Sequence, residues 1–166
     1  MKIYLIRHSN AVEHGTPGYE EDSTRPLTEK GREKMKQIAS ALKNLNVNPD
    51  LIVSSPYVRA RETAEIVAKM LKYDKDLAFS DSLVPMGEAE QVIGEINEKY
   101  HVDALLLVGH EPCFSVLIGT LTANNPDLFI TLKKGGVCCL EADDLRTDRT
   151  AVLEWLLTPK ILSGLS

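Results

Sequence analysis

The chain has 166 residues, of which 43% are hydrophobic, and a formal net charge of −5 at pH 7. This length suits one compact domain with a continuous core and is short for two independent ones, so we expect one functional site. The net negative charge excludes a broad basic footprint of the kind that binds nucleic-acid backbones. Any anion that this protein binds must therefore be held by local charge.

The apolar runs, the cysteines and the chain length also predict the cellular location and the domain organisation. No apolar run approaches the roughly 20 residues that a membrane helix needs, and the start of the chain is charged too soon for a signal peptide. We therefore expect a cytoplasmic protein without a membrane partner. The cysteines, Cys113, Cys138 and Cys139, are odd in number and form no CxxC pair, which favours buried free thiols. We expect a single domain over residues 1–159 and a C-terminal tail over residues 160–166, either a short helix or loose.

The first half of the chain alternates strand and helix patterns. Apolar runs over residues 3–6 and 51–53 predict strands that are buried on both faces, as in a parallel sheet. A helix-spaced apolar pattern follows each run. Thr28 is the predicted N-cap of the first helix, and Ser55 is that of the second, with Pro56 at its first position. This order of elements is typical of α/β proteins.

The second half of the chain begins in the same way. A helix is predicted over residues 91–100, a third buried strand over residues 104–108, and a helix that begins near Pro112. The pattern then changes to strands around the turn at Lys134-Gly135-Gly136, with residues 137–140 and 152–157 as candidates.

Arginine and histidine side chains follow all three predicted strands. Arg7 and His8 come after the first strand, Arg59 lies shortly after the second, and His110 ends the third. Because ligands of open α/β sheets bind beyond the carboxyl ends of the strands, we expect these side chains to meet at one edge. Arg59 and His110 also lie close to predicted helix starts, where free N–H groups and the positive end of the helix dipole favour an anion. The pattern predicts a phosphate site.

The residue types in this site are those that phosphoryl transfer requires. Arg25, in the loop before the first helix, adds a third guanidinium, and three guanidinium groups can neutralise the three equatorial oxygens of a phosphoryl group in flight. A neutral imidazole can attack phosphorus when cations keep it unprotonated and a hydrogen bond fixes its tautomer. His8 beside Arg7 fits the nucleophile, and His110 fits a donor to the transferring oxygens. This scheme requires no metal and no cofactor.

Other interpretations of the same residues remain open. Zinc ligation by His8 and His110 with an acidic residue is possible by residue type, although the paired spacings of a usual ligand set are missing. A phosphate-recognising module without turnover would need only the arginines. The pair of histidines favours an enzyme, because a pure binder gains little from a positioned nucleophile. His14 and His101 end no apolar run and are interpreted as solvated surface residues.

Four motifs in chain order resemble the histidine phosphatase (phosphoglycerate mutase-like) superfamily. They are Arg7-His8, Arg25-Pro26-Leu27-Thr28, the segment of residues 54–60 with Thr63-Ala64, and Val108-Gly109-His110. The short chain and the Arg-Pro-Leu-Thr segment are most similar to the SixA type of phosphohistidine phosphatase. The resemblance implies an α/β fold, a three-layer α/β/α sandwich whose mostly parallel sheet has an antiparallel edge strand.

The resemblance also implies a role for each matching residue. His8 would be the phosphorylated nucleophile, Arg7 and Arg59 the core phosphate ligands, Arg25 an additional ligand, and His110 the second histidine of the pocket. The chain departs from the family pattern at Ser9, where the family usually has glycine. The backbone there is consequently less free, and a hydroxyl group is expected at the pocket rim as a substrate contact.

A second departure concerns the general acid. Larger members of the superfamily supply a carboxylic acid near the scissile oxygen, and here Glu88 is the nearest candidate, followed by Glu111. The implied activity is that of a metal-independent phosphatase acting on a phosphorylated protein, in the first place a phosphohistidine protein. A small phosphorylated metabolite is the alternative substrate. The absence of a long insertion that could build a lid favours a side chain presented by another protein, and a mutase would need better exclusion of water.

Overall fold

The computed structural model describes residues 1–128, 130–148 and 150–166. The strands are β1 (Lys2–Arg7), β2 (Leu51–Ser54), β3 (Ala78–Phe79), β4 (Ala104–Gly109), β5 (Val137–Ala142) and β6 (Ala151–Leu157). The helices are α1 (Glu29–Asn44), α2 (Val58–Leu71), α3 (Ala89–Lys99), α4 (Cys113–Ala123) and α5 (Pro159–Ser163), with short 3₁₀ turns at Asp22–Thr24 and Asp81–Leu83. Each predicted strand is thus present, and β3 was not predicted because two residues carry no periodicity.

All strands join one sheet in the order β3-β2-β4-β1-β5-β6. The neighbours among β1 to β4 pair in parallel, whereas β5 pairs antiparallel with β1 and β6 pairs antiparallel with β5. The mostly parallel sheet is therefore confirmed. Its antiparallel part consists of two strands at one edge, where the family resemblance had implied one.

Helices cover both faces of the sheet. Along β1, Ile3 and Leu5 pack into a cluster with α3 and α4, whereas Tyr4 and Ile6 pack into a second cluster with α1 and α2. Successive strand residues point to opposite faces, so a strand with helices on both sides must be apolar throughout. This arrangement confirms the three-layer sandwich and explains the unbroken apolar runs of the sequence.

The starts of α1 and α2 differ in how they are capped. Thr28 is the N-cap of α1, as predicted, and its side chain accepts a hydrogen bond from Gly31 N at 3.0 Å. The prediction for α2 was wrong: the helix begins at Val58, and Tyr57 is its N-cap without a side-chain bond. Ser55 precedes the N-cap and does not cap the helix, and its Oγ accepts from Tyr57 N and contacts His110.

Three further features concern the C-terminal residues, the cysteines and the apolar character of the helices. Residues 159–163 form α5, in which Leu162 is fully buried in the same cluster as α1, so the tail begins as a packed helix. The cysteines are free and buried, as expected. Within the part of the chain that the structure describes, no helix combines the length and the apolar character that crossing a membrane would require.

Candidate active site

His8 follows β1 and is held in one tautomer. Its Nδ1 lies 2.7 Å from the carbonyl oxygen of Ser9, and its Nε2 lies 3.3 Å from Nε of Arg59. A carbonyl oxygen can only accept, so Nδ1 carries the ring proton, and Nε2 receives the Arg59 hydrogen on its lone pair. The unprotonated Nε2 is the atom that can act as a nucleophile.

Burial and neighbouring cations keep both site histidines neutral. Burial is the largest cause that lowers the pKa of His8, to about 3, with further lowering by Arg59, Arg7 and Lys134. The pKa of His110 is lowered to about 2, again mainly by burial and then by His8 and Arg59. At neutral pH both rings are therefore uncharged, and each keeps one unprotonated nitrogen.

His110 directly follows β4 and lies beside His8, with ring centroids 4.9 Å apart. Its Nε2 lies 3.0 Å from Oγ of Ser55, and its buried Nδ1 has no hydrogen-bond partner among the described residues. Ser55 Oγ can accept from the Tyr57 N–H and also donate its own hydrogen, which we assign to Nε2 of His110. The ring proton of His110 then lies on Nδ1, where it can donate to a ligand.

Arg59 is only 3% exposed and is held in place by Asp22. Its Nη1 donates to the Asp22 carbonyl oxygen at 2.6 Å, and its Nη2 donates to Oδ2 of the same residue at 2.8 Å. Arg25 Nε donates to the other carboxylate oxygen, Oδ1, at 2.8 Å. Burial raises the pKa of Asp22, but the hydrogen bonds from Arg59 and Arg25 outweigh it and lower the pKa overall. One internal carboxylate thus bridges two of the predicted phosphate ligands.

Arg7 is tied to the loop before β5 and lies near a second carboxylate. Its Nη1 donates to the Leu132 carbonyl oxygen at 2.9 Å, and its buried Nε has no partner among the described residues. Burial lowers the pKa of Arg7, and the negative charge of Glu111 acts against this effect. Glu111 Oε2 accepts from Ser115, while its buried Oε1 has no partner in the described part of the chain.

The structure brings most of the predicted site residues together at the carboxyl edge of the sheet. Arg7, His8, Arg59 and His110 form one cluster, and Arg25 joins it through Asp22. His14 and His101 are exposed, as interpreted from the sequence. Among the described residues, no group of three or more histidine, cysteine, aspartate and glutamate side chains is placed to hold a metal ion.

Two predicted substrate contacts, Ser9 and Glu88, are not placed as expected. Ser9 is fully buried, and its N–H donates to Thr63 Oγ1 at 3.2 Å, so its hydroxyl does not lie at an accessible rim. The expectation of an exposed rim hydroxyl was wrong, because Ser9 is completely buried and its Oγ has no hydrogen-bond partner among the described residues. Glu88 is exposed at the start of α3, where its Oε2 accepts from Gln91 at 3.1 Å. No described hydrogen bond joins Glu88 to the site.

Sequence reasoning missed Asp22 and the true role of Ser55. Asp22 belongs to the same loop as Arg25, and an acidic residue close to a cluster of arginines is a signal of charge balance. Ser55 was interpreted only as a helix cap, although its place directly after a buried strand put it at the ligand edge.

Two neutral histidines and three arginines meet at this edge, an arrangement that suits phosphoryl transfer. The family model of the histidine phosphatase superfamily (branch 1) matches residues 3–83. An uncharacterized protein of Picosynechococcus sp. is 32% identical, over 95% of this chain and 99% of its own length. The chain belongs to the histidine phosphatase superfamily and is a phosphatase of that class.

Within the superfamily the chain is similar to proteins of the SixA type. Phosphohistidine phosphatase SixA of Escherichia coli (strain K12) is 27% identical over 79% of this chain and 81% of its own length. The structure of the protein histidine phosphatase SixA complexed with tungstate matches with a TM-score of 0.82 at 24% identity, covering 98% of this chain and 99% of that one.

Proposed function

We propose that this chain is a protein phosphohistidine phosphatase that works through a covalent phosphohistidine on His8. The observation that carries the proposal is the state of the His8 ring, which donates from Nδ1 to Ser9 O at 2.7 Å and leaves Nε2 unprotonated beside the Arg59 guanidinium. The similarity to SixA supports the choice of substrate class.

Each step follows from the atoms of the site. The Nε2 lone pair of His8 forms a bond to phosphorus while the bond from phosphorus to the substrate imidazole breaks. The electron pair of that bond returns to the imidazole, which leaves as a neutral ring with the proton that its other nitrogen already carried. Arg7, Arg59 and the Nδ1–H of His110 bind the equatorial oxygens as their charge grows, with Arg25 as a further cation. Water then attacks the phosphorus, which releases inorganic phosphate and returns the electron pair to Nε2.

The leaving group explains why an exposed Glu88 is compatible with this reaction. An alkoxide is a poor leaving group and needs a well-placed general acid, whereas a protonated imidazole departs readily without one. Glu88 bonds to Gln91 at 3.1 Å and has no described bond to the site. The position of Glu88 therefore favours a phosphoramidate over an alkyl ester, whereas Glu111, near Arg7, is the candidate acid that lies within the site.

Trapping of the intermediate tests the nucleophile. Labelled phosphohistidine protein, stopped with denaturant at alkaline pH, should leave label on the wild-type chain, and His8→Ala should lose both label and turnover because only His8 forms the covalent bond. Wild-type turnover should be the same in EDTA, since the cationic pocket supplies the charge. Label that persists in His8→Ala, or activity that EDTA abolishes and a divalent ion restores, would contradict the mechanism.

Parallel assays on two substrates test the substrate class. Glu88→Gln should change turnover of a phosphohistidine protein by no more than about twofold, because an exposed carboxylate outside the site contributes little to the transition state. Strong wild-type hydrolysis of a simple alkyl phosphate, lost in Glu88→Gln and combined with negligible action on phosphohistidine, would instead assign a small phosphorylated metabolite as the substrate.

A further inference from the structure

A groove of about 690 Å³ opens beside Arg7. Its charged side chains are all cationic in the described part of the chain, and the full lining comprises Arg7, Lys34, Lys133, Lys134, Thr158, Pro159, Lys160 and Ser163. This lysine groove is a local concentration of positive charge in a chain whose net charge is −5. Such a concentration attracts an anionic partner to one face of the molecule.

The four lysines come from three separate elements and are not neutralised by carboxylates. Lys34 lies on α1, Lys133 and Lys134 lie in the loop before β5, and Lys160 lies on α5. Among the described residues, the lysine ion pairs are those of Lys36 and Lys99, neither of which lines the groove. Burial and the charge of Lys134 lower the pKa of Lys34, in keeping with ammonium groups that face each other.

The loop that carries two of these lysines is bonded directly to the catalytic segment. Gly135 N lies 3.0 Å from Arg7 O and 3.2 Å from His8 O, and Arg7 N donates to Gly136 O at 3.2 Å. Gly135 has a φ of +81°, a conformation that glycine adopts without strain. The groove is therefore continuous with the phosphate pocket through Arg7, which belongs to both.

We propose that the lysine groove docks an acidic patch of the protein substrate, next to the phosphohistidine that enters the pocket. This inference rests on the proposed function and specifies the partner further. Because Arg7 is shared, the phosphoryl group and the groove ligand can belong to one molecule. Ammonium groups from three elements suit several carboxylates spread over a protein surface, whereas a small metabolite with one further anionic group would engage few of them.

A charge-reversal pair separates docking from catalysis. Lys133→Glu/Lys160→Glu alters two exposed lysines of the groove, and Lys69→Glu/Lys72→Glu is the matched control with the same change of charge. The control residues lie at the end of α2, and Lys69 is ten residues, or about 15 Å of helix, beyond Arg59. All these side chains are exposed, so both variants are expected to fold, which circular dichroism checks.

The substrates are two synthetic peptides and one small molecule. One peptide carries phosphohistidine flanked by glutamates, the second carries glutamines in their place, and phosphoramidate reports the basal activity. The groove variant should lose about tenfold in kcat/KM on the acidic peptide at low salt, because rim charges act on encounter, and salt should erase the difference. Its kcat/KM on the glutamine peptide and on phosphoramidate, and all values of the control variant, should stay near wild type.

The experiment distinguishes a failure of the docking proposal from a failure of the proposed function. Equal losses on both peptides, a loss on phosphoramidate, or an equal loss in the control variant would overturn the docking role. So would binding to phosphatidylserine vesicles that depends on the groove while both peptides are hydrolysed alike. If wild type hydrolyses phosphoramidate but neither peptide, the proposed function fails. The docking role of the groove is then tested with an unphosphorylated glutamate-rich peptide, which should inhibit phosphoramidate hydrolysis in wild type and not in the groove variant. Equal inhibition of the two proteins would overturn the docking role.

Discussion

Asp22 is the residue on which the arrangement of two pocket arginines depends. Its carboxylate accepts from Arg59 and Arg25, and its carbonyl oxygen accepts from Arg59 as well. A bound phosphoryl group would use the same guanidinium hydrogens. In the proposed mechanism, Asp22 therefore positions these arginines and also competes with the substrate for them.

Substitution of Asp22 should separate these two effects. In Asp22→Asn the competing charge is lost, so inorganic phosphate should inhibit several-fold more tightly, while kcat should fall because Arg59 is less firmly oriented. Phosphate inhibition and steady-state kinetics on phosphoramidate measure both. Asp81→Asn, at the same position of the other 3₁₀ turn, is the control. Weaker phosphate inhibition in Asp22→Asn would show that Asp22 only positions the arginines.

The two buried histidines predict how stability depends on pH. Their pKa values in the folded chain are about 3 for His8 and about 2 for His110, whereas an unfolded histidine titrates near its ordinary value of about 6.5. Below that value the unfolded chain binds protons that the folded chain excludes. The stability present above pH 6.5 is therefore lost as the pH falls toward the folded pKa values, at up to about 1.4 kcal/mol per pH unit for each histidine.

Removal of one histidine should flatten this dependence. His110→Asn takes away one of the two groups, so its free energy of unfolding should fall less steeply than that of wild type between pH 6 and pH 4. Urea denaturation at a series of pH values measures the slope. Parallel curves for the two proteins would mean that His110 is not buried in its neutral form.

At the scale of elements, α5 is held by packing rather than by its own propensity. The helix has five residues, which is too few for a helix to be stable alone, and its Leu162 is fully buried with residues of α1. The sequence left this segment open between a helix and a loose tail, because one buried leucine in so short a stretch carries no periodic signal. Its fixed position matters, since Lys160 on the same helix lines the lysine groove.

Truncation of Leu162 should reveal that packing. Leu162→Ala should lower the free energy of unfolding by about 2 to 5 kcal/mol, as for other buried leucines. Ile161→Ala, on the neighbouring residue with 50% exposure, should stay within about 0.5 kcal/mol of wild type. Urea denaturation of the two variants provides the comparison, and equal effects would show that α5 does not dock as described.

At the scale of the whole molecule, the sequence predicted what depends on local pattern. Buried strands in a parallel sheet are unbroken apolar runs, so β1, β2 and β4 were evident, and the residues directly after them, His8 and His110 among others, gave the site. The bridge of Asp22 between Arg25 and Arg59 was not predictable in the same way. It joins side chains from separate elements, and only the folded chain brings their atoms within hydrogen-bond distance.

The position of β1 inside the sheet determines when this strand opens during unfolding. β1 is hydrogen-bonded on both sides, to β4 and to β5, while β3 and β6 stand at the edges. Local opening begins where the backbone is least protected, so deuterium should enter the edge strands first and the amides of the two central strands, β1 and β4, last. Warming that opens β3 or β6 locally would then leave β1 intact. The position of His8, which follows β1, would be lost only when the whole domain unfolds.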